Sequence, residues 1–337
     1  AGCVNGIARG AQLVPLRVHR TVSQFNTSYL SQAIRDVADG KVAGQPRLIS
    51  IAMGGPPTLA MWKAVRAAEK NGVLIVAAAG NYVRTVVWPA RFHSAIAVAA
   101  GNVRCRPWEH SSRGSAVNIM APGESVWRAT LNEQHNYING MGKGTTFATG
   151  HVAGAAALWL SVHRNNPALR TLAERGLLTE TFRAALQASA WRPSNNFNAN
   201  PPGTHCDSTS WDSDYGPGIL NLATLIDIPL SGAQSKTLPA SEEEAIPLFA
   251  SLYPRGTEPE RVRADYFSLF PSSQSGKVQD LNSLETEILY HYTVNEEVQR
   301  EINNLVAGQR GDEPVDTVRR ALSRQDLSGR LRQALGQ

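Results

Sequence analysis

Residues Gly142 to Leu160 read GKGTTFATGHVAGAAALWL. The second half is small and apolar throughout, the composition of a helix packed tightly on every side. The first half is a glycine turn with two threonines. It sets a hydroxyl at a helix start, where main-chain N–H groups lack acceptors and the dipole is positive. Thr146 there is a nucleophile, the remnant of one, or a cap. A helix of this kind needs a layer to be buried in, and the preceding sequence supplies one.

That layer is a series of short apolar runs. AQLVPLRV (Ala11 to Val18) reads as a buried strand, and Tyr29, Leu30, Ala33, Ile34 and Val37 follow helical spacing up to Gly40. RLISIAMGG (Arg47 to Gly55) is a second strand, followed by a helix marked by Leu59, Trp62, Val65 and Ala68. VLIVAAAGN and AIAVAAGN are two more strands, each ending in Gly-Asn. Unbroken apolar strands alternating with amphipathic helices predict an α/β fold, a parallel sheet with helices on both faces. Ligands in such sheets sit at the carboxyl ends of the strands, where Gly54, Gly80 and Asn81 fall.

The chain has 337 residues, 42% of them hydrophobic, with a net charge of +5. No apolar run approaches a membrane span, and no charged-then-apolar leader opens the sequence. Residues 231–337 hold 12 basic and 16 acidic side chains, a net of −4, so the remainder carries +9. The basic residues are scattered singly, without a stripe or interleaved aromatics, which argues against nucleic acid as a partner. Cys3, Cys105 and Cys206 are too few and too far apart for a zinc knuckle or a disulfide framework. Cys105 and Cys206 could pair, but free thiols are expected. There is no internal repeat.

Six blocks in order resemble the subtilisin-like serine peptidases: GIARGAQLVPLRV, LISIAMGGPP, VLIVAAAGN, SSRGSAVNIMAPG (Ser111 to Gly123), GTTFATGHVAGAAALWL and YGPGILNLATLI (Tyr215 to Ile226). The resemblance implies proteolysis of polypeptides by acyl transfer, with Thr146 at the nucleophile position. Asn81 would donate its side-chain amide to the oxyanion, together with the Thr146 N–H. Ala52, Met53 and Gly54 would pair with an extended peptide as an added strand, beside Gly80 and Thr145. It also implies that family members are often secreted. No cofactor is expected. The family's structural calcium has no identifiable site here, and HCDSTSWDSD (His205 to Asp214) lacks a recognised ligand spacing.

Two departures qualify this. The family's serine is replaced by Thr146, whose extra methyl crowds a site tuned to about half an ångström. The family's Asp and His-Gly-Thr motifs are not found in this sequence. In the family the Asp-bearing strand lies between those matching Leu13–Val18 and Leu48–Met53, and its loss would leave unpaired backbone and an apolar cleft. The expectation is therefore a fragment, impaired as it stands, or else a pseudopeptidase serving as a peptide- or protein-binding module. His151, five residues beyond Thr146, is expected to be structural, and His93, His110 and His163 to be packed or solvated.

The expected organisation is a peptidase domain over 1–228 without its Asp/His portion, a linker over 229–283, and a helical or semi-ordered extension over 284–337. Leu284, Ile288, Val298 and Ile302, then Val318, Leu322 and Leu331, mark two amphipathic helices in the extension. They could dock within the chain or on a partner. No membrane partner is expected.

Overall fold

The computed structural model describes residues 6–19, 27–134, 136–193, 211–230, 246–254, 256–270, 281–308 and 312–337. The chain divides into two compact units, one of Ala1–Gly55 with Lys63–Ser235, the other of Pro56–Trp62 with Lys236–Gln337.

The first unit is built on a four-stranded parallel sheet in the order β1 (Leu48–Ile51), β2 (Leu74–Ala78), β3 (Ile96–Gly101), β4 (Ile119–Pro122). Register runs Leu48 to Leu74, Val76 to Ile96 and Val98 to Ile119. Each step between strands is long enough to return the chain to the same end of the sheet, by way of α2 (Leu59–Lys70) between β1 and β2. Alternate residues face opposite sides. Leu74, Val76, Ile96, Val98, Ile119 and Ala121 join one cluster with α3 (Thr145–His163), through Val152, Ala155, Ala156 and Trp159. Phe182 and Leu186 of α5 (Leu178–Ser189), reached through α4 (Pro167–Glu174), complete it. Ile75, Ala77, Ala97 and Ala99 point the other way and are also fully buried, so both faces are covered. The fold is the predicted α/β class.

A helix with no polar stripe matches its surroundings: α3 touches all four strands. Helix α1 (Ser28–Ala38) has the predicted apolar stripe, with Leu30, Ile34 and Val37 buried. A chain segment bridges to Met120 through Ile219, and α6 (Leu222–Asp227) follows, capped by Asn221.

Two expectations about this unit are corrected, and one element in it was not expected. Residues 11–18 are not a strand: the segment has no ladder partner among the described residues, and Leu13 is 87% exposed. Apolar composition makes a strand only where an edge is within reach. Next, an antiparallel hairpin, β5 (Val126–Leu131) with β6 (Tyr137–Gly142), was not foreseen. Finally, Cys105 is disulfide-bonded rather than a free thiol, and Cys3 and Cys206 lie outside the described residues.

In the second unit, the stretch expected to be a linker carries α7 (Pro247–Ala250) and α8 (Pro259–Ser268), which bury Phe249, Val262 and Tyr266. An aromatic cluster and two Pro starts outweigh a polar average composition. The part SGAQSKTLPASEEE lies outside the described residues. Among the described residues from 281 onward there are four helices rather than two: α9 (Leu281–Val294), α10 (Glu296–Val306), α11 (Asp312–Ser323) and α12 (Gly329–Ala334). Asn295 and Ser328 cap α10 and α12. Ile288, Leu289, Ile302, Leu322 and Leu331 are essentially inaccessible. Glu285 is buried and accepts a hydrogen bond from the Phe249 N–H at 2.8 Å.

Candidate active site

The turn after β2 and the start of α3 meet at the carboxyl end of the sheet. Gly80 adopts φ +114, in the region glycine alone enters freely, and a Cβ there would lie 2.8 Å from Ser112 Oγ. The turn is held from outside: Ser112 N–H donates to the Gly80 carbonyl (3.0 Å) and Tyr82 N–H to the His110 carbonyl (2.8 Å). Asn81 is therefore placed by backbone before its side chain makes any contact.

That side chain reaches the helix start. Asn81 Oδ1 accepts from the Thr145 main-chain N–H at 2.9 Å and from the Thr145 hydroxyl at 2.9 Å. The Gly80 N–H donates to Thr145 Oγ1 at 3.3 Å. A main-chain N–H can only donate, so the atom facing it must be the amide oxygen, which turns Nδ2 with its two donors the other way. Gly144 leads the helix at φ 140, and a Cβ there would lie 3.3 Å from Asn81 Nδ2. Its N–H donates to the Gly123 carbonyl at 2.7 Å, and Gly123 is itself packed too closely on Ala100 to carry a side chain.

Thr145 is buried and committed to these bonds, whereas Thr146 is half-buried. Among the described residues the Thr146 hydroxyl makes no hydrogen bond, and no acidic residue stands in the first turn of α3. The Thr146 N–H belongs to that first turn, whose donors have no partner within the helix. His151 Nδ1 lies 2.9 Å from the Phe147 carbonyl, which only accepts, so Nδ1 carries the proton and the ring is tied to the helix flank. His110 stacks with Tyr82, and His163 packs edge-on against Trp159. Burial holds the His163 imidazole below the usual histidine range, with a main-chain bond at Ile228 acting the other way.

Ala52, Met53 and Gly54 follow the end of β1, all half-buried. A Cβ on Gly54 would meet Val87 Cγ2 at 2.5 Å and one on Gly80 would meet it at 3.1 Å, so the Val87 side chain sits between the two turns. Gly55 and Trp88 exchange two main-chain hydrogen bonds alongside, at 3.0 and 3.2 Å. Gly80, Asn81 and Thr145 are thus hydrogen-bonded together, with Thr146 next in the chain. Residues 52–54 form a separate rim joined to them through Val87.

Sequence reasoning missed Gly123 and Gly144 as spacing glycines, and Tyr82. Tyr82 has φ 65, is 70% exposed and packs edge-on against Trp108. A non-glycine residue after Gly-Asn at the end of a strand was the available signal. No group of three metal-ligating side chains occurs among the described residues. Of His205 to Asp214, residues 205–210 lie outside them, and Asp212 caps a 3-10 turn by accepting from the Asp214 N–H.

Residues 1–218 match the model described as the subtilase family. Subtilisin E of Bacillus subtilis (strain 168) is 34% identical over 166 residues, 48% of this chain and 42% of that protein. Subtilisin Savinase of Lederbergia lenta is 31% identical over 180 residues, 53% of this chain and 63% of that protein. The chain thus matches only about half the length of these relatives. Among solved structures, proteases from Pseudoalteromonas arctica PAMC 21717 superpose with a TM-score of 0.51 at 22% identity, covering 66% of this chain and 64% of theirs. That likeness is one of fold.

Proposed function

The chain belongs to the subtilase family, and from that premise we propose that the Asn81–Thr146 cleft receives the scissile carbonyl of a polypeptide. The carbonyl oxygen lies between Asn81 Nδ2 and the Thr146 N–H, and Thr146 Oγ faces the carbonyl carbon. The peptide backbone extends along Ala52, Met53 and Gly54 as an added strand. One observation carries this reading: both Thr145 donors occupy Asn81 Oδ1, so the amide presents only donors elsewhere. An oxyanion donor of this kind is worth ~10²–10³ in turnover.

The same site is impaired as a peptidase. A hydroxyl needs a base to remove its proton, and no histidine or carboxylate among the described residues bonds to the Thr146 hydroxyl. Its β-methyl further restricts the attacking rotamer. The second reading is a pseudopeptidase that binds peptide without cleaving it, and the same unpartnered hydroxyl favours it.

The test uses an unstructured peptide and the same peptide ending in an aldehyde, a mimic of the tetrahedral adduct. The chain should bind the aldehyde and release no product above background from the parent peptide. Asn81→Ala, shown by circular dichroism to be folded, should weaken aldehyde binding about tenfold or more. Equal binding would remove Asn81 from the site. Labelling of Thr146 by a fluorophosphonate, absent in Thr146→Ala, would overturn the impairment.

A further inference from the structure

Resting on the reading of the Asn81–Thr146 cleft above, we propose that Arg128, held over Phe147, selects the substrate. The two residues form the flank that takes the polypeptide beyond the scissile bond, and the guanidinium favours an acidic side chain there. The order of the sheet fixes which flank this is. Ala52–Gly54 follow β1, Gly80 and Asn81 follow β2, and Gly123 follows β4. Thr145 is hydrogen-bonded to Asn81 and Gly144 to Gly123, so the start of α3 reaches from the end of β2 to the end of β4. A peptide that lies on residues 52–54 and crosses Thr146 therefore leaves on the β4 side. The element standing there is the β5–β6 hairpin, which runs between Gly123 and Gly144.

Two glycines shape the face of that hairpin nearest the helix start. Val126, Arg128 and Thr130 share one face with their ladder partners Gly142, Gly140 and Ile138. A Cβ on Gly142 would run into Phe147 Cζ, so the Phe147 ring rests where that side chain would stand. Gly140 sets no side chain opposite Arg128, and the Arg128 guanidinium carbon lies over the Phe147 ring, 5.5 Å from its centroid. Phe147 follows Thr146 directly and is half-buried, whereas Arg128 is exposed. A guanidinium resting on a ring gives up one face and keeps its edge N–H groups for a carboxylate. The ring also restrains a long side chain that would otherwise lose rotamer freedom on binding.

Nearby charges leave this guanidinium unopposed. Among the described residues, neither Arg128 nor Lys143, exposed beside Gly142, pairs with a carboxylate. The acidic residues of this stretch are Glu124 and Glu133. The Glu124 N–H is tied to the Gly101 carbonyl at 3.1 Å, at the end of the sheet, and Glu133 sits in the turn at the far end of the hairpin. A lysine or arginine beyond the scissile bond would meet like charge. An apolar side chain would cover the guanidinium without replacing its bonds to water. A carboxylate matches the fork with two parallel hydrogen bonds.

The test compares a peptide aldehyde with peptidyl ketoamides on the full chain. The aldehyde ends at the scissile carbonyl and reports the cleft alone. In the ketoamide the ketone takes the place of that carbonyl, and the amide continues for three further residues. The ketoamides are N-acetylated and C-amidated, so an Asp side chain is the one carboxylate present. Asp is placed at each of the three positions in turn, with Asn or Lys in its place for comparison, and affinity is read by competition with a fluorescent aldehyde. At one position Asp should bind about fivefold more tightly than Asn, and more tightly still than Lys. The gap should close in about 0.5 M salt. In Arg128→Glu, with the melting temperature as the check on folding, the order should reverse in favour of Lys. Equal affinity for Asp and Asn at all three positions, with the aldehyde still bound, would overturn this selectivity and leave the cleft standing. An Asp preference that survives in Arg128→Glu would overturn it as well, because the carboxylate would then be held elsewhere. Failure of the aldehyde to bind would take down both.

Discussion

The two edges of the sheet are built from the same kind of strand and end up in opposite states. At β4 the returning chain closes the edge: Met120 N–H donates to the Gly218 carbonyl (3.0 Å) and Leu220 N–H to the Met120 carbonyl (2.8 Å). Ile219 exchanges hydrogen bonds with Trp191 on its far side. Behind that closure Ile119, Met120 and Ala121 are at most 1% exposed. At β1 the run Leu48–Ile51 is no less apolar, but no described segment pairs with its outer edge and three of its four residues see solvent. Helical cover on the two faces is therefore not sufficient to bury a strand. The in-plane neighbour decides.

The largest effect that sharpens this contrast belongs to the closed side. Trp159 is fully buried in the cluster beneath β3 and β4, and Trp159→Ala should cost about 3–5 kcal/mol in a urea titration. A loss under about 1 kcal/mol would mean that the cluster is not the core of the unit. Next comes a matched pair of isoleucines. Ile119→Ala on β4 should cost about 2–5 kcal/mol, whereas Ile49→Ala on β1, already half solvated, should cost about 1 kcal/mol or less. Equal losses would erase the distinction between the edges.

The smallest effect is linked to pH. His163, at the end of α3, is held below the usual histidine range chiefly by burial. The native state therefore favours its neutral form, and the unfolded chain takes up the proton first. Its contribution is complete above the ordinary histidine value of about 6.5 and declines as the pH falls below it. His163→Gln should flatten the fall in melting temperature between about pH 7.5 and 5.5. Since His291 in the second unit is also lowered by burial, the relevant quantity is the difference between wild type and variant. An unchanged difference across that range would show that His163 is not the group responsible.

The same contrast separates what was legible in the sequence from what was not. Leu74–Ala78, Ile96–Gly101 and Thr145–His163 could be read because unbroken apolar character reports burial on both faces. Leu13–Val18 has that character too, yet pairing is a property of two segments and only one was visible. The β5–β6 hairpin escaped because Trp127, Ile138 and Met141 are exposed and give no inside-outside alternation. In the site, Asn81 and Thr145 were reached by resemblance to a family. The hydrogen bonds between them span 64 residues and follow from no local pattern. The bond at Cys105 was misjudged because an odd count over wide spacings carries no information about proximity.

The bridge from Met120 to Ile219 also sets a timetable. Val98 finds Ile119 across 21 residues of chain, whereas Met120 waits for a partner 99 residues further on. Closing the longer loop costs only about 1.4 kcal/mol more entropy. During synthesis at about 5–20 residues per second, however, the β4 edge stands open for several seconds after it has formed. For that interval the β4 edge lacks the partner that later covers it. The segment Gly218–Leu220 seals that edge only late, once it has been synthesised.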